Sequence, residues 1–310
     1  MHYALKDYGA ELLWNVGTLF CHDAVAYKFN RLCRMFSVPN PITWAFGCIP
    51  GELSSAMIVP EIGFVSDAFK VAARYLEMDI ACRLALTNPH VGMKEIQSDT
   101  GNAKLMDFLN KNGIEKARNG VILSSDILAE HVREKYPNLE VILSVVRPAY
   151  DVGYGHMQDT IDWYAEKLAN PLYDIVEVNN AKIHETGFME ALPDKDKVEL
   201  IACRNCLRNC PFTKHHFEAA LGIARQGCFH SDRQKAKRML AEVCQMCVAH
   251  RERHLDQASS FEEEEIRKLV PLGYRRFQLS NRMNSDEQAD RDIGDYLFVY
   301  KHLRYFENLL

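Results

Sequence analysis

The chain is predicted to fold as an α/β barrel of the TIM type, with an irregular strand count allowed and a cysteine-rich helical insertion before the last strand. Three observations lead there. Short apolar runs, each closing on polar or turn-forming residues, recur six times between Ile42 and Ala202. Amphipathic stretches of helical period separate most of them, the βα rhythm of a parallel sheet. None of the strand-to-helix turns carries the glycine fingerprint that opens a dinucleotide-binding sheet, which favours a closed barrel over an open doubly wound one.

Taken in order, apolar positions Leu12, Leu13, Val16, Leu19, Phe20, Ala24, Val25 and Phe29 recur at helical spacing. They predict a long opening helix from about Glu11 to Phe36, interrupted near Gly17 and stopped by Pro39 and Pro41, so residues 1–38 read as an N-terminal helical segment. Strands follow at Ile42–Ile49, Asp79–Leu86, Gly120–Ser124, Leu139–Val146, Tyr173–Val178 and Lys197–Ala202. Helices are expected over Asn102–Asn112, Ser125–Tyr136 and Met157–Ala169. Residues 211–259, rich in His, Cys, Lys and Arg, break the rhythm and form the insertion. Ser260 is the expected N-cap of the acidic helix that ends at Leu269, Arg276–Ser280 the last strand, and Ile293–Leu310 a closing helix whose Tyr296, Leu297, Tyr300, Tyr305 and Phe306 form an aromatic packing face. The 310 residues are read as a single barrel domain.

Bulk properties narrow the function classes. Hydrophobic residues make up 47% and charged residues 25% of the chain. That balance is enough for a sizeable core. A net charge of −5 argues against strong non-specific nucleic-acid binding. No apolar run reaches the roughly 20 residues needed to cross a bilayer. Met1-His-Tyr-Ala-Leu-Lys-Asp7 lacks a basic-then-apolar leader, so the ten cysteines are expected in a reducing, cytoplasmic setting, as ligands or core residues rather than disulfides.

The most informative stretch is Cys203-Arg-Asn-Cys206-Leu-Arg-Asn-Cys210-Pro211, directly after an apolar strand. Three thiols within eight residues can converge on one small volume, and thiolate is a soft ligand suited to zinc or iron–sulfur iron. Cys244 and Cys247 offer a second pair that completes a four-thiolate set, with Cys228 in reserve. The gap between the groups is longer than in compact zinc modules, and the order differs from a C-x3-C-x2-C radical-SAM run. Core cysteines also occur as small hydrophobes, but these cluster beside Pro211 and two asparagines, which is loop chemistry.

Barrel enzymes gather their sites at the carboxyl ends of the strands. There the sequence sets Asn88 and His90, Ser124 to Asp126, Arg147 and Tyr150, Asn179, Asn180 and Lys182, the cysteines, and Ser280 to Arg282. Arg147, Lys182 and Arg282 are the donors expected to bind an anionic or polyhydroxyl ligand, with Asn179 beside them. Loop residues are polar by default, so turn chemistry is an equal reading for each. No Walker loop, H-E-x-x-H or G-x-S-x-G is present, and a ligated thiol is not free to act as a nucleophile.

Four segments resemble the collagenase-like peptidase U thirty-two superfamily, in particular a poorly characterised branch of it. They are Leu123-Ser-Ser-Asp-Ile-Leu-Ala-Glu130, Val176-Glu-Val-Asn-Asn180, the run from Glu199 through Cys210-Pro-Phe212 with His216 soon after, and Gly273-Tyr-Arg-Arg-Phe-Gln-Leu-Ser-Asn-Arg282. The resemblance implies a TIM-type barrel with a cysteine-bound iron–sulfur cluster, of 4Fe–4S type, near the strand ends, zinc being the alternative metal. By position, Cys206 and Cys210 match the branch's C-x3-C-P and His216 its following histidine. Cys203 stands where relatives are expected to carry another residue, and Leu279-Ser-Asn-Arg282 replaces the glutamate and glycine of hydroxylase members. The function so implied is an iron–sulfur barrel enzyme of redox or oxygen-independent hydroxylation type. It would act on a small-molecule or nucleotide-like substrate with an electron donor or partner protein. The alternatives are a structural four-cysteine metal protein that binds a ligand or partner and, ranked below it, a peptidase.

Overall fold

The structure is a computed structural model, and it describes residues 5–54, 65–153, 156–178, 183–203, 213–215, 217–218, 221, 242, 245, 260–279 and 286–299. Eight parallel strands close on themselves in chain order: β1 Leu13–Val16, β2 Ile42–Gly47, β3 Ala81–Leu86, β4 Gly120–Leu123, β5 Glu140–Leu143, β6 Ile175–Val178, β7 Val198–Cys203 and β8 Arg276–Leu279. The last pairs with the first, Leu13 through Val16 lying opposite Arg276 through Leu279. The strand count is therefore regular.

The difference from expectation lies at the amino end. Residues 13–16 are a strand, not part of one long helix; the helix α1 runs only over Asp23–Phe36. A four-residue strand holds two outward apolar positions, Trp14 and Val16, and its inward Asn15 breaks the apolar run, so the helical spacing of the following segment masked it. The remaining helices are α2 Val65–Glu77, α3 Met93–Ser98, α4 Thr100–Lys111, α5 Asp126–Lys135, α6 Val146–Asp151, α7 Met157–Ala169, the single turn α8 Phe188–Ala191, α9 Glu263–Leu269 and α10 Asp286–Leu297. The expected strand Leu139–Val146 stops at Leu143, because Val145 turns into the right-handed region and Pro148 sits in the first turn of α6, where its missing N–H costs no bond. Glu262, not Ser260, caps α9, and Glu265 Oε2 accepts the Glu262 N–H at 2.8 Å. The two glutamates form a reciprocal box that satisfies donors the helix start would leave open. The closing helix ends at Leu297, and Phe298 pairs back with Leu5. Tyr296 and Leu297 of the expected aromatic face are described, Tyr296 tilting against Trp14 at 6.1 Å; Tyr300, Tyr305 and Phe306 lie outside the described residues.

Strand alternation sorts the barrel into two environments. Outward residues such as Cys82, Leu84, Val121, Val141, Val176, Leu200 and Phe277 join the main core beneath the helices. Inward, Phe46, Ile122, Ile142 and Ile175 form a small apolar layer of their own. The interior also carries a charged and polar network. Arg83, fully buried, donates to Glu199 at 2.5 Å and Glu140 at 2.6 Å, and its guanidinium lies 3.8 Å over the Trp44 ring. Asn15 donates to Glu199 at 2.7 Å and to Gln278 at 3.2 Å. Register explains the reach: Arg83 pairs with Gly120, which pairs with Glu140, and the missing side chain at 120 lets guanidinium and carboxylate meet across β4. No described helix is long and apolar enough to cross a membrane.

Candidate functional site

The carboxyl ends of β3 to β6 build a polar shelf. Leu86, Leu123, Leu143 and Val176 are register partners in series, so Thr87, Ser124, Ser144 and Glu177, one residue on, stand level with one another. All four are buried. Glu177 shares the inward face with Ile175 and is the register partner of Glu199 on β7; its Oε2 accepts the Val145 N–H at 3.0 Å. Ser144 Oγ accepts the Val146 N–H at 3.3 Å. Such a bond from a side chain to the backbone two residues on helps turn the chain into α6. Ser124 Oγ is buried with no hydrogen-bond partner among the described residues, a cost that folding does not normally leave in place without use. Below the shelf, the Arg83 network supplies charge. Burial lowers the Arg83 pKa, but Glu199 and Glu140 together outweigh it and the net direction is up. Arg276, whose guanidinium lies 5.3 Å from the Trp44 ring, is pushed down by burial and by Arg83.

The rim is held by Arg147. Its guanidinium donates to Asp151 at 2.7 Å, to the Ser124 carbonyl at 2.9 Å and to Asp126 at 3.5 Å. Burial lowers its pKa, yet Asp151 and Asp126 hold it above the ordinary value. Tyr173 donates to the same Asp126, and its pKa is raised by burial and by that bond. Arg147 thus organises the rim through these bonds. Asn88, another residue read at a strand end, donates to Glu52 O at 2.7 Å and accepts from His90 N at 2.9 Å. Its amide is spent on turn chemistry.

Chain from beyond the cysteine run returns to this rim. Phe217 packs on Val146 and Ala149, Lys214 lies 5.4 Å over the Tyr150 ring, and Glu218 is 3.4 Å from His90, which meets Tyr150 edge-on at 5.5 Å. On the other side of the run, Cys203 is the last residue of β7, its backbone opposite Leu279 of β8.

Of the residues singled out from sequence, Cys206, Cys210, Cys244, Cys247, Asn179, Lys182, His216 and Arg282 lie outside the described residues, as does the side chain of Cys203. Among the described residues no group of three or more His, Cys, Asp or Glu is arranged to hold a metal. The described thiols suit the core instead: burial pushes Cys33 up to about 12 and Cys82 higher still. Both therefore stay protonated and are poor ligands. Sequence reasoning passed over Arg83, Glu177 and Glu199. A signal was present, a lone charged residue at the centre of a short apolar strand, as in Ala81-Cys-Arg-Leu-Ala85 and Val176-Glu-Val178. A groove of about 1070 Å³, lined by Tyr8, Trp14, Lys116, Glu263 and Arg267, lies instead at the amino ends of β1 and β2. That end of such barrels serves stability.

No family model matches the chain, and no curated protein matches it. A solved structure described as the U32 peptidase Mk0906 has 14% sequence identity and a TM-score of 0.44 to this chain, over 71% of this chain and 79% of that one.

Proposed function

We propose that this TIM-type barrel is an enzyme whose carboxyl face carries a thiolate-bound metal centre, an iron–sulfur cluster in preference to zinc, beside a pocket for a small polar or nucleotide-like molecule. The observation that carries the reading is the anchoring of the cysteine segment. Its strand ends on the carboxyl face at Cys203, and the chain is back on that face at Lys214 and Phe217. Both flanks of Cys206 and Cys210 are therefore fastened where barrel enzymes keep their sites. A bound cluster would supply one-electron transfer. The shelf of Thr87, Ser124, Ser144 and Glu177 supplies hydroxyl and carboxylate groups to orient a ligand with N–H or O–H donors.

Metal and acid-labile sulfide analysis of the full chain purified without oxygen tests this. The expected result is brown protein with iron and sulfide in cluster ratio and a visible absorption that dithionite bleaches. Colourless protein with stoichiometric zinc would overturn the cluster and support a closed structural thiolate site, which has no open coordination position. Protein holding neither metal overturns the reading altogether. Cys206→Ser is expected to lower metal content in either metal case, with the barrel's circular dichroism retained.

A further inference from the structure

His22 closes the loop between β1 and α1. Its N–H bonds to the Thr18 carbonyl at 2.9 Å, and its carbonyl receives the Val25 N–H at 3.0 Å, so the residue is fixed at the top of the helix. Phe20, two residues earlier, takes a φ of 68°. That left-handed conformation is rare for a bulky residue. The imidazole Nδ1 lies 2.5 Å from Oδ1 of Asp286, the first residue of α10. Because β8 and β1 are neighbours, the two residues join adjacent strand-to-helix connections on the carboxyl face. The His22 side chain is only 9% exposed, and its Nε2 is buried with no hydrogen-bond partner among the described residues.

These facts assign the ring a polarity. A carboxylate on Nδ1 holds the proton there, which leaves the lone pair on Nε2. The other charged groups nearby are otherwise engaged. Asp23 of α1 accepts the Phe20 N–H at 3.1 Å and faces Tyr75 and Arg74 of α2; burial raises its pKa, and those contacts together with His22 oppose the rise. Tyr75 donates to Thr18 at 3.1 Å. The clamp between α1 and α10 is already made elsewhere, by Lys28 with both oxygens of Asp290 at 2.8 Å, and Phe29 stacks at 5.1 Å on Phe298 just past α10. The His22–Asp286 contact is not needed for it.

We propose that His22 is a catalytic proton-transfer residue of the carboxyl face and Asp286 its positioning residue, serving a substrate with an ionisable hydroxyl. In the step, the substrate O–H proton passes to Nε2 and the O–H electron pair stays on the substrate oxygen. The imidazolium charge is held by the Asp286 carboxylate, and the proton returns from Nε2 to the product. The proposal rests on the carboxyl face being the working end of the barrel; it does not need a metal.

The test uses the full chain with ¹⁵N-labelled histidine, the His22 signals being assigned by their loss in His22→Gln. The neutral ring is expected as the Nδ1–H tautomer, with Nε2 unprotonated. Asp286→Asn, whose amide no longer fixes the proton on Nδ1, is expected to move it to Nε2, so that the two ring nitrogen shifts exchange. An Nε2–H tautomer in the native chain overturns the proposal. So does an Asp286→Asn chain in which His22 keeps the native tautomer. Should His22→Gln fail to fold, the His22 signals are assigned by their shift in Asp286→Asn. Metal content is a separate measurement, and its failure bears on the metal centre alone.

Discussion

Arg83→Met removes the one described cation that bonds to Glu140 and Glu199 inside the barrel. The two ion pairs, at 2.6 and 2.5 Å, have side-chain exposures of 0% for Arg83, 11% for Glu140 and 0% for Glu199. Methionine keeps the apolar stem of the side chain but leaves two carboxylates without that partner. Glu199 retains the Asn15 amide at 2.7 Å, so the loss is not of every bond. Breaking a buried pair from one side costs about 3–5 kcal/mol, and losing the guanidinium from the Trp44 face adds about 1 kcal/mol. Against a typical total of about 5–15 kcal/mol, that leaves a barely stable protein. Urea unfolding followed by circular dichroism measures it. The triple variant Arg83→Met, Glu140→Gln, Glu199→Gln carries no buried charge at these sites and should regain about 2 kcal/mol or more over the single variant. The single variant also has a predicted pH signature. Buried carboxylates that have lost an ion-pair partner hold their protons to higher pH in the folded state than in the unfolded one. The deficit should therefore be small below about pH 4, where unfolded glutamate is protonated, and grow as pH rises. A single variant within about 1 kcal/mol of the parent, or a triple variant no better than the single, would refute the reasoning.

Gly120→Ala probes the gap that lets Arg83 reach Glu140. A Cβ there would meet the Glu140 carbonyl oxygen at 2.8 Å and Ile142 Cδ1 at 2.9 Å. A loss of about 1–3 kcal/mol in urea unfolding is expected from that overpacking. At the other end, Glu263 in the first turn of α9 bonds to Lys6 at 2.6 Å and Arg267 at 2.7 Å, which together hold its pKa below the ordinary value. Its contribution is present above about pH 4.3, the unfolded value, and is lost as pH falls through the lower folded one. Glu263→Gln should thus destabilise the fold at pH 7 by no more than about 1 kcal/mol for so exposed a site, seen as a slightly lower melting temperature, and have no effect in strong acid.

The chain's own pattern determined the barrel. Outward strand residues must be apolar to pack beneath helices, so the strands that begin at Ile42, Ala81, Gly120, Glu140, Ile175, Val198 and Arg276 are legible as runs punctuated by turns. Legible too was the placement of Cys203 at a strand's carboxyl end. β1 was not, because four residues with a polar centre carry too little periodicity to stand out from the helix that follows. What only the tertiary structure decided is the company each inward residue keeps. Arg83 and Glu199 are 116 positions apart, and His22 and Asp286 are 264 apart, yet each pair is in hydrogen-bond contact. A pattern of period two states that a side chain points inward. Only closure of the eight strands, with their stagger, sets which residues face each other across the interior and which loops become neighbours at its mouth.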